Sequence, residues 1–384
     1  LSDDKIKLAA TAAANAARKR ERSKHAGAPW DSDVSQLTLA AQEQHMLEVL
    51  ARLPLSAPPL LAALINNPPK ERRLRQLIRE GLHDRGLIDA SALTVERKGG
   101  RAPTVYTISA RAREWLRHEH DKLRAGQPVP EHLQADRNPP SPGRGSTVPH
   151  TLAVQLVIGA LRQFGGTDVK TVWWTPRMPG GRLDVGMAHS DRRDKRVRLE
   201  DLVGHVGLTV IGDALSAAPG VVEPDATVQM SGQLAGQRRS LSMLLEIDRT
   251  NRASYNTDKF LAYDHFLAGW CLRTRTYARA RPLVVFVAGS PRSALRLLSR
   301  ASDVMTVGVG ISGHDRQTFQ YYGRTHTVFT CIDWLLGGHA YGLRMPPTPP
   351  ERTDEAVLSD VEAVALLPEA WWPKGPTSAA RTLR

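Results

Sequence analysis

Along the chain, stretches with apolar residues at three- and four-residue steps alternate with short, unbroken apolar runs. The first pattern marks helices that bury one face, the second marks strands. Residues 37–53, LTLAAQEQHMLEVLARL, follow the helical spacing, and SAPPLLAALIN after them makes a short second helix. In PPKERRLRQLIREGLHDRGLI, proline opens a third helix whose Leu74, Leu77, Ile78 and Leu82 form one apolar stripe beside Arg72, Arg73, Arg75 and Arg79. LTVERKGGRAPTVYTIS (93–109) then offers two strand-like runs around a basic, glycine-bearing turn, and ARAREWLRHEHDKLR is a further helix.

Past a Pro/Gly-rich stretch the pattern changes. HTLAVQLVIGALRQF is an amphipathic helix opened by Pro149, TVWWTP is a short strand, and RLDVGMAH offers another. Residues 190–220 mix charge and apolar character and are expected to be loop or insertion. VVEPDATVQM and SLSMLLEID, joined by a polar turn within SGQLAGQRR, predict a hairpin, and a helix is expected from about Thr257. RPLVVFVAGSPRSALRLLSRA reads as a buried strand and then a helix, with a final strand in HTVFTCIDWL. Strand and helix alternating in this way predict an α/β sheet domain.

The boundaries that follow are a basic N-terminal arm at 1–36, a helical module at 37–125, a linker at 126–148, a second domain at 149–345 and a C-terminal tail at 346–384. The linker contains NPPSPGRGS and too few apolar residues to build a core. The arm carries ARKRERSKH, either a tail that touches phosphates or a solvated helix.

Composition narrows the function. With 384 residues and 41% hydrophobic content the chain supports true cores, and no apolar run approaches the roughly 20 residues of a membrane helix. A soluble, cytoplasmic protein is expected. The two cysteines, Cys271 and Cys331, are too few for a disulfide framework or a zinc cluster and are expected to be buried thiols. A formal charge of +13 points to a polyanionic partner, nucleic acid first. The charge concentrates in the helical module: residues 52–124 hold 15 Lys/Arg and 8 Asp/Glu, a surplus of seven. Three helices followed by a basic hairpin resemble a winged helix-turn-helix. That resemblance sends the third helix into the DNA major groove and lays Arg97, Lys98 and Arg101 of the wing against the backbone. The same fold also serves protein contacts.

Candidate chemistry gathers in LLEIDRTNRASYNTDKFLAY, residues 244–263. Alternate strand residues share a face, so Glu246 and Asp248 point the same way, and the preceding strand brings Asp225 toward the same end. Three clustered carboxylates repel one another unless a cation balances them, and their hard oxygens suit Mg²⁺ or Mn²⁺. Pairing with Arg249 or Arg252 is the structural alternative. On the following helix Lys259 and Tyr263 stand four residues apart, hence on one face. Lys259 is either a phosphate- or water-orienting group or a solvated lysine, and Tyr263 is expected to pack in the core rather than act as a covalent nucleophile. His150 is a helix-start residue that caps, packs or touches phosphate.

The winged helix, the helix opening at His150, the PDA run at 224–226, LLEIDR at 244–249, Lys259 with Tyr263, and VVFVAGSPR together resemble the replication-relaxation family of actinobacterial and other Gram-positive plasmids and mobile elements. That resemblance implies an α+β multidomain protein: an N-terminal winged helix-turn-helix and a C-terminal mixed α/β PD-(D/E)XK nuclease-like domain with four or five strands. It makes Asp225, Glu246 and Asp248 the acidic, metal-binding set. Asp248 stands where that fold usually carries lysine, a charge that Lys259 could supply from the helix. Two functions follow. One is a metal-dependent nickase or endonuclease acting on double-stranded DNA at a plasmid or phage origin, in replication or conjugation, as a possible homodimer or with replication and transfer proteins. The other is a non-catalytic DNA-binding initiator or regulator whose nuclease-like half is a scaffold.

Overall fold

The structure is a computed structural model. The structure describes residues 37–53, 55–65, 69–92, 104–127, 133, 147–165, 168–174, 208–211, 224–248, 253–269, 271, 277, 280–311, 318–349, 361–368 and 371. The basic arm, most of the linker, the RLDVGMAH run, Arg249, Arg252 and the hairpin residues Arg97, Lys98 and Arg101 lie outside them.

The N-terminal module starts with α1 (Ala41–Arg52), α2 (Pro58–Leu64) and α3 (Glu71–Gln76), the last continuing as one π-helical stretch, Leu77–His83. Glu43 returns its side chain to the Ala40 N–H at 3.0 Å, so α1 begins with its first donor satisfied. The expected stripe is buried, with Leu74, Leu77, Ile78 and Leu82 each at most 5% exposed. Two antiparallel strands follow, β1 (Ile88–Ala92) and β2 (Thr104–Ile108), and then α4 (Ala110–Leu123), capped by the Ser109 hydroxyl. The first strand begins at Ile88, five residues before the apolar run at Leu93. The chain passes straight from the π-helical stretch through a turn at Gly86 into the sheet, so β1 takes up IDASA although it carries little of the usual strand pattern.

Helix α5 (Thr147–Gly165) joins the two halves of the molecule. One side packs on α2 so tightly that a Cβ on Gly159 would come within 2.8 Å of the Ala63 methyl group. Gln155 donates to the Leu55 carbonyl and Arg162 to the Leu64 carbonyl, which fixes α5 against the ends of α2. Its apolar side, with Val154, Val157, Ile158 and Leu161, is buried.

A seven-stranded mixed sheet forms the other half. In chain order its members are β3 (Lys170–Trp174), β5 (Ala226–Leu234), β6 (Gln237–Asp248), β7 (Leu283–Ala288), β10 (Thr327–Cys331), β11 (Tyr341–Arg344) and β12 (Glu362–Ala365). They lie in the order β12-β11-β10-β7-β6-β5-β3, with β6, β7 and β10 parallel and every other pair antiparallel. Helix α6 (Ala253–Ala268) makes the crossover from β6 to β7, and α7 (Pro291–Val304), capped by Ser290, follows β7. A short α8 (Tyr322–Thr325) precedes β10, and α9 (Ile332–Leu336) follows it.

The parallel β6–β7 register assigns the faces. Glu246 pairs with Phe286 and Asp248 with Ala288 across β7, so both carboxylates share the face on which Leu244, Val284, Phe286, Phe329 and Cys331 meet α6 and α7. Phe286 is the hub of that core: it stacks on Phe329 at 5.5 Å and meets Phe260 and Tyr263 edge-on.

Four expectations need correction. The sheet has seven strands rather than four or five. HTVFTCIDWL is not the last strand; only TVFTC is extended, IDWLL is helical, and β11 and β12 follow. Within 190–220, Leu208–Ile211 is a strand, β4, which joins β8 (Gly308–Ile311) and β9 (Thr318–Gln320) in a separate antiparallel sheet. The β5–β6 turn is only Ala235-Gly236, both at positive φ, so the strands consume most of the polar SGQLAGQRR stretch. In each case long-range pairing recruited residues whose local pattern was weak. Cys271 and Cys331 are buried free thiols, as expected.

Candidate functional site: a carboxylate cluster under α6

At the carboxyl end of parallel β6, where ligands gather in open α/β sheets, three acidic residues stand within one short region. The β5–β6 register ends with Ala226 opposite Leu245, and Asp225 just before it donates its N–H to the Leu245 carbonyl at 2.9 Å, out of register but close enough for its charge to act on Glu246. Asp225 is held from two sides: Oδ2 accepts from the Ile247 N–H at 2.7 Å, and Oδ1 lies 3.0 Å from His150 Nε2 at the start of α5.

Helix α6 covers the cluster. Asn256, Lys259 and Tyr263 recur at steps of three and four and so face the sheet together. Tyr263 donates its hydroxyl to Glu246 Oε1 at 2.7 Å, Lys259 donates to Glu246 Oε2, and Asn256 Nδ2 donates to Asp248 Oδ2 at 3.0 Å. Glu246 is 2% exposed and Asp248 8%, whereas the side chains of Lys259, His150 and Asp225 are 31%, 36% and 20% exposed. Glu246 and Tyr263 therefore make a floor, and Asp225, His150 and Lys259 a rim that solvent reaches.

Burial raises the Glu246 carboxyl to about 7, and the nearby Asp225 charge pushes the same way; Lys259 and the Tyr263 hydroxyl oppose both. Tyr263 is driven up by burial and by the Glu246 charge. The folded chain thus keeps a proton on Glu246 to higher pH than the unfolded chain does. Stability from this group is complete below pH 4.5 and is lost as pH rises through about 7. Asp264, a buried residue of the same helix raised to about 7 chiefly by burial, adds to the fall in the same window. Glu246→Gln should remove about 3 kcal/mol of the decline between pH 4.5 and 8, read as urea-unfolding free energies at a series of pH values. A variant curve parallel to the parent's would refute the assignment.

Asp225 and Glu246 suit a hard divalent cation: they offer carboxylate oxygens from adjoining strands, and their mutual repulsion is what such an ion relieves. Asp248 suits it less, because one oxygen is taken by Asn256. Among the described residues, no three His, Cys, Asp or Glu side chains already stand as a ready-made metal shell. Lys259 would have to swing off Glu246 into solvent for an ion to enter.

The remaining predicted residues lie elsewhere. Arg72, Arg73, Arg75 and Arg79 are all exposed along α3 and its π-helical continuation, on the side away from the buried leucines. Arg75 pairs with Glu71 at 2.5 Å, and Arg73 donates to Gln76 at 2.8 Å. Asn256 was missed by sequence reasoning. The signal was available, since it stands seven residues before Tyr263 and three before Lys259, but a polar residue at a helix start reads first as a capping group.

No described helix is long and apolar enough to cross a membrane. Neither a curated protein nor a solved structure matches the chain. A family model described as replication-relaxation matches residues 47–277, a span that holds the N-terminal helices and all of Asp225, Glu246, Asp248, Lys259 and Tyr263. Across well over half its length, then, this chain belongs to the replication-relaxation family, a membership that suggests a role in plasmid or mobile-element replication.

Proposed function

We propose that the protein binds duplex DNA at a plasmid or phage origin through its N-terminal module and nicks it with the carboxylate cluster, in replication or transfer. The helices α1 to α3, the β1–β2 hairpin and α4 follow the order of a winged helix-turn-helix. The exposed arginine row, Arg72, Arg73, Arg75 and Arg79, suits a groove-facing helix, and Arg97, Lys98 and Arg101, which in the sequence lie between β1 and β2, would supply the backbone contacts of a wing. The C-terminal half is read as a PD-(D/E)XK-like nuclease domain.

The carrying observation is Asp225 beside Glu246 at the strand ends, bound to the Ile247 N–H, with Lys259 closing on Glu246. This is the acid–acid–lysine combination of that fold, with the lysine supplied by α6 instead of by position 248. Asp225 and Glu246 would hold Mg²⁺ or Mn²⁺, which activates water and offsets charge developing on a phosphate. Lys259, once released from Glu246, reaches the rim, where it can orient water or bind a phosphate oxygen. His150 holds Asp225 in place, and Tyr263 fixes the Glu246 carboxyl from below.

A second reading, a non-catalytic initiator or regulator, draws on the same site. Both Glu246 oxygens are engaged by protein donors and the group is nearly closed to solvent. Supercoiled plasmid with Mn²⁺ separates the two. The parent should open circles and Asp225→Ala should not, whereas equal inactivity would favour the scaffold.

A further inference from the structure

Away from the carboxylates, the sheet face carries a second polar feature. Lys170, Val172, Gln229, Ser231, Arg238, Arg239 and Ser240 line an open groove of about 410 Å³ on strands β3, β5 and β6. The register explains the convergence: Lys170 lies opposite Ser231 and Ser231 opposite Ser240, Val172 lies opposite Gln229, and Arg238 has the parity of Ser240, so these side chains form rows on one face; Arg239, opposite Gly232, turns the other way, donates to Gln237 at 2.8 Å and only borders the groove. Lys170 and Arg238 face the groove with three polar side chains, Arg239 borders it, and among the described residues no carboxylate lines it. Lys170, Arg238 and Arg239 are exposed, as are all residues from Gln237 to Ser240.

By parity along β6, this is the face that carries Glu246, but Ser240 lies six residues away, roughly 20 Å along the strand. Between them Leu244 is 0% and Thr227 3% exposed, so covered structure separates the groove from the acidic cluster. The groove is a site of its own.

We propose that it holds a segment of single-stranded DNA by its phosphates. Positive charge without acidic neighbours selects a polyanion. Width selects the single strand, because three strands span about 10 Å, which accommodates one sugar–phosphate backbone but not a duplex, whose major groove alone is about 12 Å wide. Arginine and lysine with hydroxyl and amide partners contact phosphate oxygens, and among the described residues no aromatic ring lines the groove for base stacking, so binding is indifferent to sequence. The assignment rests on the DNA-acting role proposed above and adds a holding site for a strand exposed by opening or nicking. It does not require cleavage.

The test uses the full chain, EDTA, and a fluorescently labelled oligo-dT, with anisotropy titrations at several KCl concentrations. The triple variant Lys170→Gln, Arg238→Gln, Arg239→Gln should bind the oligonucleotide roughly ten-fold or more weaker than the parent, and its log K against log salt slope should be shallower by at least about 1.4, the value for the two lost groove-facing phosphate contacts on a single strand. A labelled duplex should lose less than about two-fold, since the exposed arginines of α3 are untouched. The charge-retaining variant Lys170→Arg, Arg238→Lys, Arg239→Lys should stay near the parent, and unchanged melting of the neutral variant shows that it remains folded. Unaltered oligonucleotide affinity and slope overturn the groove, and so does an equal loss on the duplex. Nicking is scored separately. If no preparation cuts plasmid while the triple variant still loses the single strand, the groove stands and the nickase falls. If Asp225→Ala alone abolishes nicking and the triple variant binds like the parent, the reverse holds.

Discussion

Glu246→Ala should lose Mn²⁺-dependent plasmid nicking by about 10³-fold or more, the scale of removing a group on which transition-state charge stabilisation depends. Glu246 is where the centre converges: it lies beside Asp225, accepts from Lys259 and Tyr263, and stands at the carboxyl end of β6. Truncation also strips the buried Tyr263 hydroxyl of its acceptor, at about 1–3 kcal/mol, so loss of activity by the alanine variant could come from loss of fold. Glu246→Gln resolves this, because its amide oxygen can still accept from Tyr263 but offers no negative charge to an ion. Both variants should be inactive, and the glutamine variant should melt no lower than the parent at pH 8, where its neutral side chain stands in for a carboxyl that burial resists ionising. Retained nicking by the glutamine variant would remove Glu246 from the chemistry. Lys259→Met should lower nicking while leaving duplex binding intact, since Lys259 lies in the sheet domain and not on the arginine-bearing helix.

Arg324→Ala should lower stability by about 3–5 kcal/mol, a shift on the order of 10 °C in thermal melting, with no direct effect on the carboxylate cluster. Arg324 is 0% exposed. Its guanidinium donates to the carbonyls of Ser302 (2.9 Å), Met305 (3.2 Å) and Pro346 (2.8 Å) and to the Ser302 hydroxyl (2.8 Å), tying the end of α7 to the segment after β11. Burial pulls it down to about 10, and Asp264 is the first of the charges that oppose this. Asp264 in turn accepts from the Val307 N–H at 2.9 Å, and a Cβ on Gly323 would come within 1.9 Å of its Oδ1, so only glycine lets the chain pass there. Truncation orphans three buried carbonyls and leaves a buried acid without its cation. Arg324→Lys should recover little, because one ammonium cannot reproduce the planar fork. Melting of the alanine variant within about 2 °C of the parent would show that the cluster does not hold this corner together.

Local pattern carried much of the architecture. The leucine stripe of α3, the capped α7, the apolar VVFVA strand and the β5–β6 hairpin are all legible because their burial follows a period set by the backbone. The shared direction of Glu246 and Asp248, and of Lys259 and Tyr263, follows from the same rule. Strand β4, the edge strand β12 and the early start of β1 were not legible: IDASA and EAVA have weak propensity and became strands because a neighbouring edge offers hydrogen bonds, while LTVI of β4 has strand propensity but sits in a mixed charged stretch and pairs with β8 about 100 residues on.

The amino-acid sequence by itself determined which residue types could meet: acids at alternate positions of a strand, a lysine and a tyrosine one helical turn apart, and an arginine row beside a buried stripe. Only the tertiary structure decided the partners. It turned Asp248 to Asn256 and closed Lys259 and Tyr263 on Glu246. It brought His150 to Asp225 from 75 residues away and aligned Lys170 with a hairpin some 70 residues downstream. Periodicity is a property of one segment and can be read along it, whereas register between strands and the seating of a helix on a sheet depend on how separate segments fill a common core.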